Sequence, residues 1–315
     1  MNCFRRSSTL PCLPFVLLLG LVWQVGAPDA WAETVSLNPV KDNTLYTYIP
    51  GDADNPFNSN GSGNYLAAGR TARKNQMQRG LIQFDLSQIS GSQRVVPGTA
   101  RLELYVVDAP GRDLATRPFW LVPLAGLDQP WGEGASEANI VGGSGSGAGS
   151  GDAAEPGDAT WYHTVYDPAS HDETTGEPKP FPSEPAPGYW PQQGYFGSEP
   201  LDPQALFGDP DAWVESASGF WVTLSLPRME SALDAWLRDP ASNLGWILLG
   251  DETVEGGNLS SKRGFGSREN YDPALELDFR PLLTFEYEPV PEPGSLVLSA
   301  TALAVLLWWR RRRRC

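Results

Sequence analysis

The side chains best suited to chemistry in this 315-residue chain are oxygen donors and aromatic rings. Asp52, Asp54, Asn58 and Asn60 lie in the stretch Asp52–Gly61. Their oxygens could ligate calcium, which takes roughly six to eight such donors. The stretch departs from an EF-hand loop, because Pro56 stands where a ligand belongs and no Glu closes it. A plain turn-forming loop is the other reading, and the Asn, Asp and Gly content favours it. His163 and His171 are the only histidines, so a histidine metal site or a nucleophilic triad has little to draw on, and both are read as solvated. No Gly-x-Ser-x-Gly turn follows a strand. Paired carboxylates are uninformative, since 38 Asp and Glu residues give many chance pairs of the kind a glycosidase needs. Tyr189, Trp190, Tyr195 and Phe196 sit in an irregular, Pro-rich segment, and aromatic rings of this kind can stack on sugars. They are the candidate ligand-binding residues. Trp131, Trp221, Trp236 and Trp246 fall in strand or helix patterns and are read as core.

The elements that must position these groups are strands. Gly 33, Pro 29 and Trp 12, with only 19% charged residues, argue against bundles and coiled coils and for a turn-rich β protein. Alternation is clearest at Leu102–Val106, Phe220–Leu224, Leu275–Phe279 and Leu283–Tyr287. Further strands are expected at Thr44–Ile49, Tyr65–Ala68, Gly80–Phe84, Phe119–Leu124 and Trp246–Leu249, about nine in all, the count of a β-sandwich or jelly roll. One short helix is expected over Arg228–Arg238, where Met229, Leu233, Trp236 and Leu237 share a stripe that would cover an open end of the sandwich. Between 132 and 219 the pattern lapses into a Gly/Ser tract and a Pro-rich acidic stretch. This reads as a long insertion that is flexible, partly packed as a lid, or the seat of the function.

The two ends read as addresses. Arg5 and Arg6 precede an apolar run, and Ala30-Trp31-Ala32 ahead of Glu33 is a small-x-small cleavage site, so residues 1–32 form a signal peptide. At the other end Pro291-Glu292-Pro293 leads into the uncharged run 294–309 and then the Arg310–Arg314 cluster, the pattern of a short membrane helix with its basic end in the cytoplasm. Cys3, Cys12 and Cys315 all fall in these ends. Residues 33–290 therefore hold no cysteine, which excludes thiol chemistry and cysteine zinc sites there. They carry 16 basic and 36 acidic residues, a net charge of −20, so nucleic acid is not a partner.

The tail at 289–315 resembles the PEP-CTERM sorting signal of exported proteins in Gram-negative, exopolysaccharide-making bacteria, with Pro291, Glu292 and Pro293 as its motif and Arg310, Arg311 and Arg312 in its basic end. The resemblance implies recognition by an exosortase, cleavage near the motif and only transient insertion in the inner membrane. A permanent single-span anchor is the alternative.

Residues 33–288 resemble the DNRLRE domain, a secreted jelly-roll module related to carbohydrate-binding modules. The resemblance rests on an ordered set of fragments: Asp42-Asn43-Thr44, Asn64-Tyr65-Leu66, Arg79 to Leu86, Ala100 to Leu104, Trp131-Gly132-Glu133, Thr160-Trp161, Asn243 to Trp246, Phe265 to Glu269 and Arg280 to Tyr287. Within it, Trp131-Gly132-Glu133 and Ser267-Arg268-Glu269 are expected at strand ends, with Arg268 pairing a buried carboxylate to hold the sheet. The expected protein is all-β, exported to the cell surface or matrix and non-catalytic. It is expected to bind extracellular polysaccharide, with calcium able to offset its acidic surface. A polysaccharide lyase or hydrolase and a purely structural matrix protein are the alternatives.

Overall fold

The computed structural model describes residues 31–47, 57–72, 75–89, 92–110, 114–127, 129–138, 151–170, 187–191, 200–225, 227–254, 259–290 and, near the carboxyl end, 301, 305–306 and 308–312. In chain order the strands are β1 Glu33–Leu37, β2 Lys41–Tyr46, β3 Asn58–Ser59, β4 Tyr65–Arg70, β5 Met77–Gln83, β6 Gln93–Val95, β7 Arg101–Asp108 and β8 Arg117–Pro123. They continue with β9 Asp152–Ala153, β10 Ala212–Val214, β11 Phe220–Leu224, β12 Trp246–Gly250, β13 Arg263–Gly266, β14 Tyr271–Asp272, β15 Leu277–Asp278 and β16 Leu282–Pro289. The helices are α1 Pro203–Phe207 and α2 Pro227–Arg238. The protein is all-β, with antiparallel pairing and few helices.

The main sheet runs β1-β16-β7-β13-β4-β5-β12-β8-β10, with β11 on β7, β2 on β5 and β6 on β16. It curls into two facing halves, and β4 joins them. Tyr65–Gly266 through Ala68–Arg263 pair β4 with β13, whereas Gly69 and Arg70 pair with β5. The switch occurs at Gly69, whose φ is +108° and where an added Cβ would lie 2.7 Å from the Ser261 carbonyl oxygen. Glycine is required there.

Alternation decides which side chains enter the central core. Leu102, Leu104 and Val106 of β7, Val222 and Leu224 of β11, and Leu283 and Phe285 of β16 point inward. From the other half come Ile82, Phe119, Leu121, Trp246 and Leu248. Helix α2 closes this core with Met229, Leu233, Trp236 and Leu237, as its stripe predicts. Asp234 and Glu230 fasten it to the other chain segments by accepting from the Val95 and Gly98 amides. One expectation fails: Leu275–Phe279 supplies only the two-residue β15 in an exposed hairpin with β14, because Leu275 and Leu277 are left exposed, with no layer over them.

The second half of the sheet is covered on its outer side as well. Leu45, Leu81, Trp120, Val122, Ile247 and Leu249 point away from the central core and meet Trp131, Trp161 and Trp190. Those three indoles come from or border the insertion, for which a packed lid is one reading. Its Ala212–Val214 joins the main sheet as β10, while its segments around Trp161 and Trp190 form a third layer. Inside it, the Arg79 guanidinium lies 4.0 Å from the centre of the Trp161 ring and pairs with Glu252 at 2.6 Å, both charges being fully buried.

Candidate functional site

Three fragments far apart in sequence meet at one end of the sandwich. The Asp42 amide donates to Glu133 Oε1 at 2.9 Å, and the Arg268 amide donates to Asp42 Oδ2 at 2.6 Å. Arg268 also pairs with Glu133 at 3.0 Å and with Glu269 at 2.6 Å. Asn43 extends the hub by donating to the Glu133 carbonyl, and its own Oδ1 accepts from Ser59 Oγ and the Asn60 amide. Lys41 donates to the Trp131 carbonyl and sits 4.1 Å over that ring. Strand β2 and the segments around 133 and 268 are thereby clamped together, the sheet-holding use of Arg268 that the resemblance implies.

The electrostatics of this hub are dominated by burial. Desolvation, then the Glu269 charge, push the Asp42 carboxyl well above the ordinary value, against the Arg268 amide, which lowers it. Burial also raises Glu133 and Glu269, with Arg268 opposing the rise in each. Among the described residues, no group of three His, Cys, Asp or Glu side chains could hold a metal ion.

The residues expected to bind ligand are not gathered together. Trp190 is buried in the third layer, its indole N–H donating to the Thr160 carbonyl at 2.7 Å. Tyr189 is half-buried, with its ring 4.7 Å from His163. Tyr195, Phe196, Asp52 and Asp54 lie outside the described residues. Asn58 is half-buried on β3, and Asn60 is fully buried with its amide bound to the backbone at Tyr65 and Ala138. His163 is buried rather than solvated. Its Nδ1 lies 2.8 Å from Thr160 Oγ1, and Phe57, Tyr162, Tyr166 and Tyr189 surround its ring. Burial lowers its pKa to about 4. His171 lies outside the described residues.

One solvent-facing aromatic, Trp221, falls where the sequence pattern reads as core. Trp221 is 45% exposed on the outer face of β11, directly opposite Tyr105 of β7. Their rings meet edge to face at 5.2 Å, and Phe279 stacks on Tyr105 at 4.1 Å. Gly266 makes room for this stack, since a Cβ there would meet the Phe279 carbonyl oxygen at 2.1 Å. The flanking charges are paired: Arg101 with Glu103 at 4.0 Å and Arg280 with Asp278 at 2.7 Å. A signal for this face was present in the sequence, because Trp221 shares its side of the strand with Thr223 while Phe220, Val222 and Leu224 share the other.

Strand β16 ends at Pro289, and the Val290 amide donates to the Ser92 carbonyl at 2.8 Å. The model of the PEP-CTERM protein-sorting motif matches residues 289–313. The chain carries a PEP-CTERM tail. That tail marks an exported protein, handled by an exosortase-type system through a membrane-anchored precursor. Pro291, Glu292 and Pro293 lie outside the described residues, whereas Arg310, Arg311 and Arg312 are helical and exposed. Among the described residues, no helix is long and apolar enough to cross a membrane. Most of the run 294–309, and residues 1–30 with Ala30, fall outside them. Ala32 is exposed and Glu33 opens β1. No curated protein matches the chain.

Proposed function

We propose that the PEP-CTERM precursor delivers to the cell surface or matrix a jelly-roll domain of the DNRLRE type, which binds neutral polysaccharide without catalysis. The carrying observation is the solvent-facing Trp221 ring, braced by Tyr105 and Phe279. A flat aromatic face offers the C–H side of a sugar ring both apolar contact and the attraction of its negative π surface. Neutral sugars fit best because Arg101 and Arg280 at its flanks are already paired with carboxylates. The net charge of −20 over residues 33–290 further disfavours anionic polymers at low salt. Non-catalytic use is supported by the Asp42 hub, whose carboxylates are tied to Arg268 and to backbone amides. In this reading the signal peptide spans 1–32, and the helix at 294–309 holds the precursor in the inner membrane until the sorting enzyme acts.

The test is retention of the purified protein on a panel of neutral and anionic polysaccharides, with the same mixtures assayed for reducing ends and unsaturated products. The expected result is retention on neutral polymers without product. Trp221→Ala should weaken it about tenfold while costing folding stability only about 1 kcal/mol, the size of its lost aromatic pair with Tyr105. Product formation would replace this reading with an enzyme, and absence of retention would leave a structural matrix protein.

A further inference from the structure

The segment that matches the sorting motif begins at residue 289, and residue 289 is still inside the sheet. Pairing of β16 with β6 runs Tyr287–Val95, Glu288–Arg94 and Pro289–Gln93. The Val290 amide continues the ladder by donating to the Ser92 carbonyl at 2.8 Å. Across the same pairing, Arg94 Nε donates to Glu288 Oε1 at 2.7 Å. Pro291 therefore follows directly on a hydrogen-bonded residue, with no spacer between the sheet and Pro291-Glu292-Pro293. An enzyme that reads a peptide in extended form takes hold of the backbone of several consecutive residues. A cleft cannot close around residues 288–290 while β6 lies alongside them.

We propose that the sorting enzyme docks on the last residues of the sheet, Glu288 to Val290, together with the motif, and that these residues must part from β6 before it binds. The end of β16 is thus the first part of the docking segment. This docking depends on the sorting tail alone, whatever the domain binds.

The sheet confines the release to those three residues. Tyr287 is held from the other side by β1, where it pairs with Glu33 and its hydroxyl donates to Glu33 Oε2 at 2.8 Å, and it packs against the central core. Strand β6 is anchored too, its Val95 amide donating to Asp234 of α2 and the next amide, Val96, to the Glu286 carbonyl. Beyond Tyr287 little is buried. Pro289 and Val290 are exposed, and the Arg94–Glu288 pair lies at the surface. Exposed ion pairs contribute little to stability, and strand ends with few apolar contacts open most readily. The chain hinges at Tyr287, and the domain stays folded.

A disulfide can hold the segment shut. The bond from Val290 to Ser92 makes the adjacent Pro289 and Gln93 a non-hydrogen-bonded pair. At such pairs the Cα atoms lie roughly 4.5 Å apart, within disulfide reach. Residues 33–290 contain no native cysteine to compete. The experiment follows the full-length precursor in a bacterium with an exosortase system, by immunoblot, with the bridge verified on a non-reducing gel. The variants are Gln93→Cys/Pro289→Cys, the unbridged control Gln93→Ser/Pro289→Ser, and the cysteine pair with a flexible Gly/Ser spacer inserted after Val290. The bridged variant should accumulate as precursor, its processing slowed about tenfold or more. The serine control and the spacer variant should be processed within about twofold of the wild type, because backbone contacts upstream of the motif tolerate a change of sequence. Processing of the bridged variant at the wild-type rate would overturn the proposal, as would failure of the spacer to restore it. So would a serine control slowed as much as the bridged variant, which would assign the effect to the lost side chains.

Discussion

The two halves of the sheet differ in how many layers they meet. Every residue of β12, Trp246–Gly250, is buried, whereas β7 alternates between core positions and the half-exposed or exposed Arg101, Glu103, Tyr105 and Val107. On β12 the side chains that point away from the central core find Trp131, Trp161 and Trp190. On β7 and β11 they find solvent, and Trp221 is the largest of them. The outer face over β12 is thus closed by its own chain. The opposite face is left available to a ligand.

This contrast can be broken from the covered side first. Trp161→Ala removes a fully buried indole and uncovers the Arg79 guanidinium, so a loss near the top of the range for such truncations, about 5 kcal/mol, is expected in chemical denaturation. Arg79→Ala should cost about 4 kcal/mol, because it strands Glu252 as a buried charge without its guanidinium, although the Leu201 amide still donates to it.

A smaller effect comes from pH. His163 is buried beside the third layer with its pKa lowered to about 4, so the unfolded chain takes up a proton before the folded one does. Its contribution is intact above the unfolded value of 6.5 and is lost as pH falls from there through about 4, amounting to about 3 kcal/mol. His163→Phe should abolish that part of the acid loss, as urea midpoints measured across the same window would show.

How much of this was legible in the sequence follows from the same contrast. Period-two patterns located β7, β11 and β16, and the 3.6-residue stripe located α2, because one-sided burial writes itself into alternation. The third layer was hidden. Its segments are short and rich in turn residues, and their indoles are anchored by long-range contacts such as Trp190 to Thr160 and Trp131 to the Leu244 carbonyl. A cue was nonetheless present: Trp246-Ile247-Leu248-Leu249 does not alternate, which is what a strand covered on both faces requires. Strand β13 escaped because Arg263, Gly264 and Gly266 lack strand propensity. Gly264 and Gly266 are fixed by close backbone neighbours, and Arg263 by the carbonyls of Ala115 and Glu215. The Asp42 hub was only half legible. The family resemblance suggested a partner for Arg268, but burial of the carboxyls depends on three segments meeting, which no local pattern records.

The most direct test of the closed and open faces is oxidative footprinting of tryptophan in the native protein, read by mass spectrometry. Trp221, which is 45% exposed, should be modified rapidly, and Trp161 and Trp190 should remain protected until the protein unfolds. Modification of Trp190 as fast as Trp221 under native conditions would contradict the account.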